Sequence, residues 1–223
     1  MSEAEFWTGD VADSDTDYSL LARTEVFRGR VWDVRTDRVE IAGTVVDRDY
    51  VVHTGAVGVI ALDQDDRVLL VRQYRHPVGR SLFEPPAGLL DVEGEDPLLT
   101  AQRELVEEAG YEADTWHVLV DYLTSPGGST EVFRTYLARG VHLAAGGRAF
   151  TGEAEERDLP QVWVDLDQAR ALVLAGDIQN PAAVSGILAA WSARATDWNT
   201  LRPADAPWPT RDRVIARGGV PTS

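Results

Sequence analysis

The chain has 223 residues, with 37 acidic against 21 basic side chains and a formal net charge of −16; a field of that sign repels polyanions and argues against a nucleic-acid partner. Its apolar fraction of 44% and charged fraction of 26% are those of a soluble globular protein, no run is apolar for long enough to cross a bilayer, and with no Cys there is neither a disulfide framework nor a thiolate site. The acidic opening "MSEAEFWTGDVADSDTD" lacks the positive and apolar regions of a secretion signal, so a cytoplasmic protein without membrane attachment is expected.

Residues 1–19 read as a flexible acidic lead-in. Residues 20–54 carry short β-like runs, "TEVFRGRVWDVRTDRVEI" and "TVVDRDYVVH", broken at Ala42-Gly43, and are expected to form a small sheet used for dimerisation. The main domain, 55–196, begins with "AVGVIALDQDDRVLLVRQY", two apolar strands around a polar turn. That turn lacks the glycine and distal Glu of a calcium loop, so a solvated turn is expected. A Pro- and Gly-rich loop, "GRSLFEPPAGLLDVEGED", leads to Asp96 and Pro97, an N-cap and first-turn proline that open a helix over Pro97–Ala109, stopped by Gly110. Strands follow at "TWHVLVDYL", "EVFRTYLA" and "QVWVDL", then helices at "DQARALVLAGD" and "PAAVSGILAAWSAR". The tail, 197–223, has no periodicity and either packs as an extended strap or stays loose. Strands outnumber helices without regular βαβ units, which predicts a mixed α+β fold.

The helix after Pro97 is unusual in its acids. At about 100° per residue, Glu104, Glu107 and Glu108 share an arc of roughly 100°, while Leu98, Ala101, Leu105 and Ala109 line the inward face. Arg103 stands four residues before Glu107 and can pair with it. Glu104 and Glu108 have no cation nearby in sequence, and like charges at that spacing cost about 0.2–0.5 kcal/mol. The plain reading is a solvated acidic face. The chemical reading is a set of hard oxygen ligands for Mg²⁺ or Mn²⁺, with the carbonyls of the preceding "PPAGLLD" turn at hand.

Glu95, seven intervening residues, then Arg103-Glu104-Leu105-Val106-Glu107-Glu108-Ala109-Gly110-Tyr111 resembles the Nudix box, in which a glycine and a glutamate precede R-E-U-x-E-E-x-G-U with U aliphatic. Six residues separate Gly88 from Glu95 where the family has five, and Tyr111 fills a usually aliphatic place. "LLVRQYRHPVG", "FEPPAG" and "SPGGSTE", with Pro126 some fifteen residues past the box, resemble the ADP-ribose pyrophosphatase branch, and the likeness runs over residues 24–195.

That resemblance implies an α/β/α sandwich with an N-terminal antiparallel sheet, a homodimer, and Mg²⁺-dependent hydrolysis of ADP-ribose to AMP and ribose 5-phosphate. Glu104 and Glu108 would serve catalysis as metal ligands, joined by Glu107 and the Ala87 carbonyl. Gly88, Glu95, Arg103 and Gly110 would shape the box, with Glu95 orienting Arg103. The base would come from "TGEAEERDLP": Glu155 fits best, then Glu156, then Glu153. Arg75 and Arg72 would meet phosphate and Glu84 a metal-bound water or a ribose hydroxyl. Gly127, Gly128 and Ser129, after Pro126, would form a flexible loop that approaches the substrate closely, and Glu131 would sense the terminal ribose. Phe27, Arg30 and Trp32 offer faces for adenine. The four His show no ligand spacing and receive no role. The rivals are hydrolysis of other nucleoside diphosphate sugars or NADH, and a non-catalytic ADP-ribose-binding module.

Overall fold

The computed structural model describes residues 6–92, 94–148 and 159–220. Strands β1 (Ser19–Arg28), β2 (Asp33–Ile41) and β3 (Thr44–Val52) form a three-stranded antiparallel sheet. Ala42 and Gly43 both have positive φ, 49° and 75°, which is the geometry of a two-residue hairpin whose twist matches its strands. The break expected between the two early runs is this turn.

The larger sheet holds β4 (Ala56–Leu62), β5 (Arg67–Arg75), β6 (Arg80–Glu84), β7 (Ala87–Leu89), β8 (Tyr111–Leu123), β9 (Val132–Leu143), β10 (Gln161–Asp165) and β11 (Arg202–Pro203). Its order is β10-β5-β4-β9-β8-β11, with β6 on β5 and β7 on β4. Strand β4 is buried at every position and runs parallel to β9, so its sequence shows no polar alternation. Val57, Val59 and Ala61 face the side of α1 (Pro97–Glu104), packing with Ala101, Leu105 and Ala109. Ile60 and Leu62 face α2 (Leu166–Ala175) and α3 (Pro181–Arg194), packing with Leu166, Ala169 and Ile187. Helices on both faces of a mixed sheet make the α/β/α sandwich and the α+β class that the sequence predicted.

The "DQDD" turn is a solvated one. Asp63 accepts the backbone N–H groups of Asp65 and Arg67 and pairs with the Arg67 guanidinium at 2.6 Å. The tail departs from an aperiodic strand: besides β11 on β8 it carries α4 (Pro209–Ala216). Trp208 is buried to 7% exposure beneath the guanidinium of Arg134, 4.6 Å from the ring centroid. Arg134 also forks onto Asp121 and donates to the carbonyls of Ala206 and Pro207. The tail is therefore a packed strap. Among the described residues no helix is long and apolar enough to cross a membrane.

Candidate active site

The site is built where β7 meets the acidic helix. Asp96 caps α1 by accepting the Leu98 N–H at 2.8 Å, and Pro97 follows at the first turn, as the sequence predicts. After Glu104 the helix widens into a π-turn over Leu105–Ala109, with Gly110 at φ 78° closing it by donating to the Leu105 and Val106 carbonyls. Such widened turns recur at functional sites. Glu108 lies on this turn, only 5% exposed, and its Oε2 accepts the Ala87 N–H at 2.9 Å. Gly88 follows on β7, paired opposite Val57. Glu104 lies against it so closely that a Cβ there would sit 2.5 Å from Glu104 Cγ and closer still to its carboxylate. Any side chain at 88 would push Glu104 out of this place.

Arg103 corrects one expectation. Glu104 has a cation after all: Arg103 Nη1 reaches Glu104 Oε1 at 2.7 Å and Glu107 Oε2 at 2.9 Å. A neighbour in sequence projects about 100° around the helix, yet a long planar guanidinium spans that arc and serves several carboxylates at once. Its other edge holds Glu95, Nη2 to Oε2 at 3.3 Å and Nε to Oε1 at 3.4 Å. Glu95 is steadied by the fully buried Thr100, whose hydroxyl donates at 2.8 Å. Burial opposes the Arg103 charge, but the carboxylates of Glu95, Glu104 and Glu107 outweigh it and raise its pKa. The same guanidinium, foremost through its hydrogen bond, lowers the pKa of Glu95. Among the described residues no three His, Asp or Glu side chains form a ready-made metal cage.

Arg75 and Glu84, expected separately at phosphate and ribose, are brought together. Glu84 is 3% exposed at the end of β6 and receives Arg75 Nη2 at 2.6 Å and Nε at 2.9 Å. Arg72 is exposed on β5. The Pro126–Ser129 turn is pinned to β3, with Val51 N–H donating to the Gly128 carbonyl and Thr130 N–H to the Val51 carbonyl. Beside it, Glu131 accepts the Thr124 hydroxyl at 2.5 Å and faces His53 Nε2 at 3.8 Å. His53, given no role by its sequence, accepts the Gly55 N–H at Nδ1 and stacks on Trp32 with centroids 5.7 Å apart. Burial lowers the His53 pKa against the opposing pull of Glu131. Trp32 and Glu131 are thus joined through one buried imidazole. Phe27 and Arg30 are exposed where β1 leads into β2.

Glu153, Glu155 and Glu156 lie outside the described residues. Both flanks of that segment are tied to the acidic helix. Arg148 Nε donates to the Glu107 carbonyl at 3.2 Å, and Gln161 Nε2 to the Glu108 and Ala109 carbonyls at 3.3 and 3.1 Å. Sequence reading missed Thr100, His53, Thr130, Arg148 and Gln161. Each acts through a contact with a chain segment of unrelated spacing, and only Thr100, five residues past Glu95, left a local trace.

The sandwich thus presents an arginine-bound set of helical glutamates to a glycine on an adjoining strand. The NUDIX domain model matches residues 52–183, and the chain belongs to the Nudix family and is a Nudix hydrolase. It is 41% identical over 204 residues to the ADP-ribose pyrophosphatase of Mycobacterium tuberculosis, covering 91% of this chain and 97% of that protein. It is 43% identical over 146 residues to the methanol dehydrogenase activator of Bacillus methanolicus, covering 65% of this chain and 77% of that protein. The crystal structure of an ADP compounds hydrolase superposes with a TM-score of 0.69 at 22% identity, over 83% of this chain and 98% of that one, which shows the shared fold.

Proposed function

We propose that this enzyme hydrolyses the diphosphate of ADP-ribose to AMP and ribose 5-phosphate, using a divalent cation, Mg²⁺ or Mn²⁺. The observation that carries the reading is the seating of two box carboxylates against β7: Glu108 on the Ala87 N–H, and Glu104 in the space that only a glycine at 88 leaves. Carboxylate and carbonyl oxygens are the donor set such hard cations take, so Glu104, Glu107, Glu108 and the Ala87 carbonyl fit the ion. A bound divalent cation neutralises the diphosphate and lowers the pKa of water. Arg103, held by Glu95, keeps the carboxylates oriented and limits their mutual repulsion.

The proton of the attacking water goes to Glu155, or to Glu156 one register on, in the segment whose two ends Arg148 and Gln161 fasten to the helix. Arg75 and Arg72 hold phosphate oxygens, with Glu84 fixing the Arg75 guanidinium. Ser129 and Glu131 meet the terminal ribose, and the Trp32 ring, backed by His53, receives the adenine. A homodimer through the N-terminal sheet is consistent with the exposure of Leu20, Leu21, Val26 and Phe27 along β1. The likeness to the mycobacterial ADP-ribose pyrophosphatase over nearly the whole chain supports the substrate.

The test is a turnover panel of ADP-ribose, GDP-mannose, ADP-glucose, NADH and a nucleoside triphosphate, with and without Mg²⁺. AMP released fastest from ADP-ribose and only with metal is the expected result. A flat profile discards the substrate assignment and keeps the hydrolase. Binding of ADP-ribose without any turnover would make the protein a sensor.

A further inference from the structure

The C-terminal strap lies beyond the stretch that the family model matches, residues 52–183, yet its end reaches the loop proposed to hold the terminal ribose. Three consecutive carbonyls past α4 each receive a donor from elsewhere in the fold. Arg23 Nη1 donates to the Arg217 carbonyl at 2.9 Å, Arg35 Nη1 to the Gly218 carbonyl at 2.5 Å, and the Thr130 hydroxyl to the Gly219 carbonyl at 2.7 Å. These carbonyls lie past the end of α4, where no helical ladder supplies a donor, so two guanidiniums and a hydroxyl satisfy them instead. The Thr130 oxygen also accepts the His53 backbone N–H at 2.9 Å and lies 3.5 Å from the His53 carbonyl. His53 stacks on Trp32 and faces Glu131. Strap residues Val214, Arg217 and Gly219 and loop residues Pro126–Thr130 line one cleft of about 350 Å³.

We propose that the strap is part of the substrate site, and that Thr130 is a positioning residue through which the Gly219 carbonyl holds the Gly127–Glu131 loop where it meets the substrate. This rests on the reading that the loop contacts the substrate. The strap then acts on substrate affinity and leaves the chemistry at Glu104 and Glu108 untouched. Gly219 is suited to its place, because a Cβ there would lie 2.8 Å from Val214 Cγ1 and 2.9 Å from the Val214 carbonyl oxygen.

The experiment uses the full chain carrying Thr130→Val, Thr130→Ser or Gly219→Ala. Hydrogen exchange of residues 127–131 is measured alongside kcat and KM for the fastest compound of the panel above. Thr130→Val keeps the side-chain shape and loses the hydroxyl, and should raise KM about 3- to 10-fold with kcat within about twofold. It should also speed exchange across the loop without changing exchange in α1. Gly219→Ala should move both quantities in the same direction, and Thr130→Ser should restore both. Unchanged loop exchange in Thr130→Val, an unchanged KM, or a Ser variant as impaired as Val would overturn the proposal. Wild-type protein that favours another compound over ADP-ribose refutes the substrate assignment alone, because the exchange data and the KM ratio still decide the strap.

Discussion

Replacing Gly88 by alanine separates folding from catalysis. The Gly88 backbone is fixed by pairing with Val57 and its φ is not in the left-handed region, so alanine brings no backbone strain. The added methyl would lie 2.5 Å from Glu104 Cγ, where ordinary contacts begin at 3.4 Å. The Glu104 side chain must therefore move out by about 1 Å or more. Because that side chain is flexible, the fold loses little: a part-exposed contact with Arg103 is worth about 0.2–1 kcal/mol, and Arg103 keeps Glu95 and Glu107. For a chain of this length that is a Tm shift of no more than about 4 °C. A carboxylate displaced by ~1 Å at a reacting centre costs about 10²-fold in rate. Thermal melting by circular dichroism and AMP release across a Mg²⁺ titration measure the two effects separately. Wild-type kcat in Gly88→Ala would refute the reasoning, and so would a melt shifted by 10 °C or more, which would make Gly88 a folding residue.

Glu108→Gln keeps an oxygen for the Ala87 N–H and removes the charge, so turnover should vanish with little change in Tm; full activity at limiting Mg²⁺ would dismiss Glu108 as a ligand. Glu155→Gln should lower kcat by about 10²-fold or more with KM nearly unchanged, as loss of a general base does. If Glu156→Gln gives that pattern instead, the base sits one residue further on. Trp208→Ala should cost about 3–5 kcal/mol, because it empties a buried aromatic site beneath Arg134. A Tm within 2 °C of wild type would mean that the strap does not pack on the core in solution.

The box was legible because its constraints are local. Asp96, Pro97 and Gly110 announce their helix through caps that act within one turn, and the 3.6-residue period alone places Leu105 inward and the glutamates on the adjoining arc. The hairpins were legible for the same reason, through Ala42-Gly43 and the polar turn after Leu62. The π-turn after Glu104 was not, since it keeps the same residues and alters only which carbonyl each N–H meets.

The sequence by itself therefore determined the long strands, the capped helices, the family and the candidate ligands, because period, capping and motif spacing are properties of neighbours along the chain. It did not show β6 and β7, which form inside the stretch read as a Pro- and Gly-rich loop, or β11 and α4 in the tail. Only the tertiary structure decided the partners. It gave Arg103 three carboxylates, Arg75 to Glu84, His53 to Trp32 and Glu131, and the end of the strap to Thr130. A guanidinium, an imidazole or a hydroxyl has a strong demand for a partner but carries no record of sequence distance, so which group meets that demand is settled only when packing brings distant segments together.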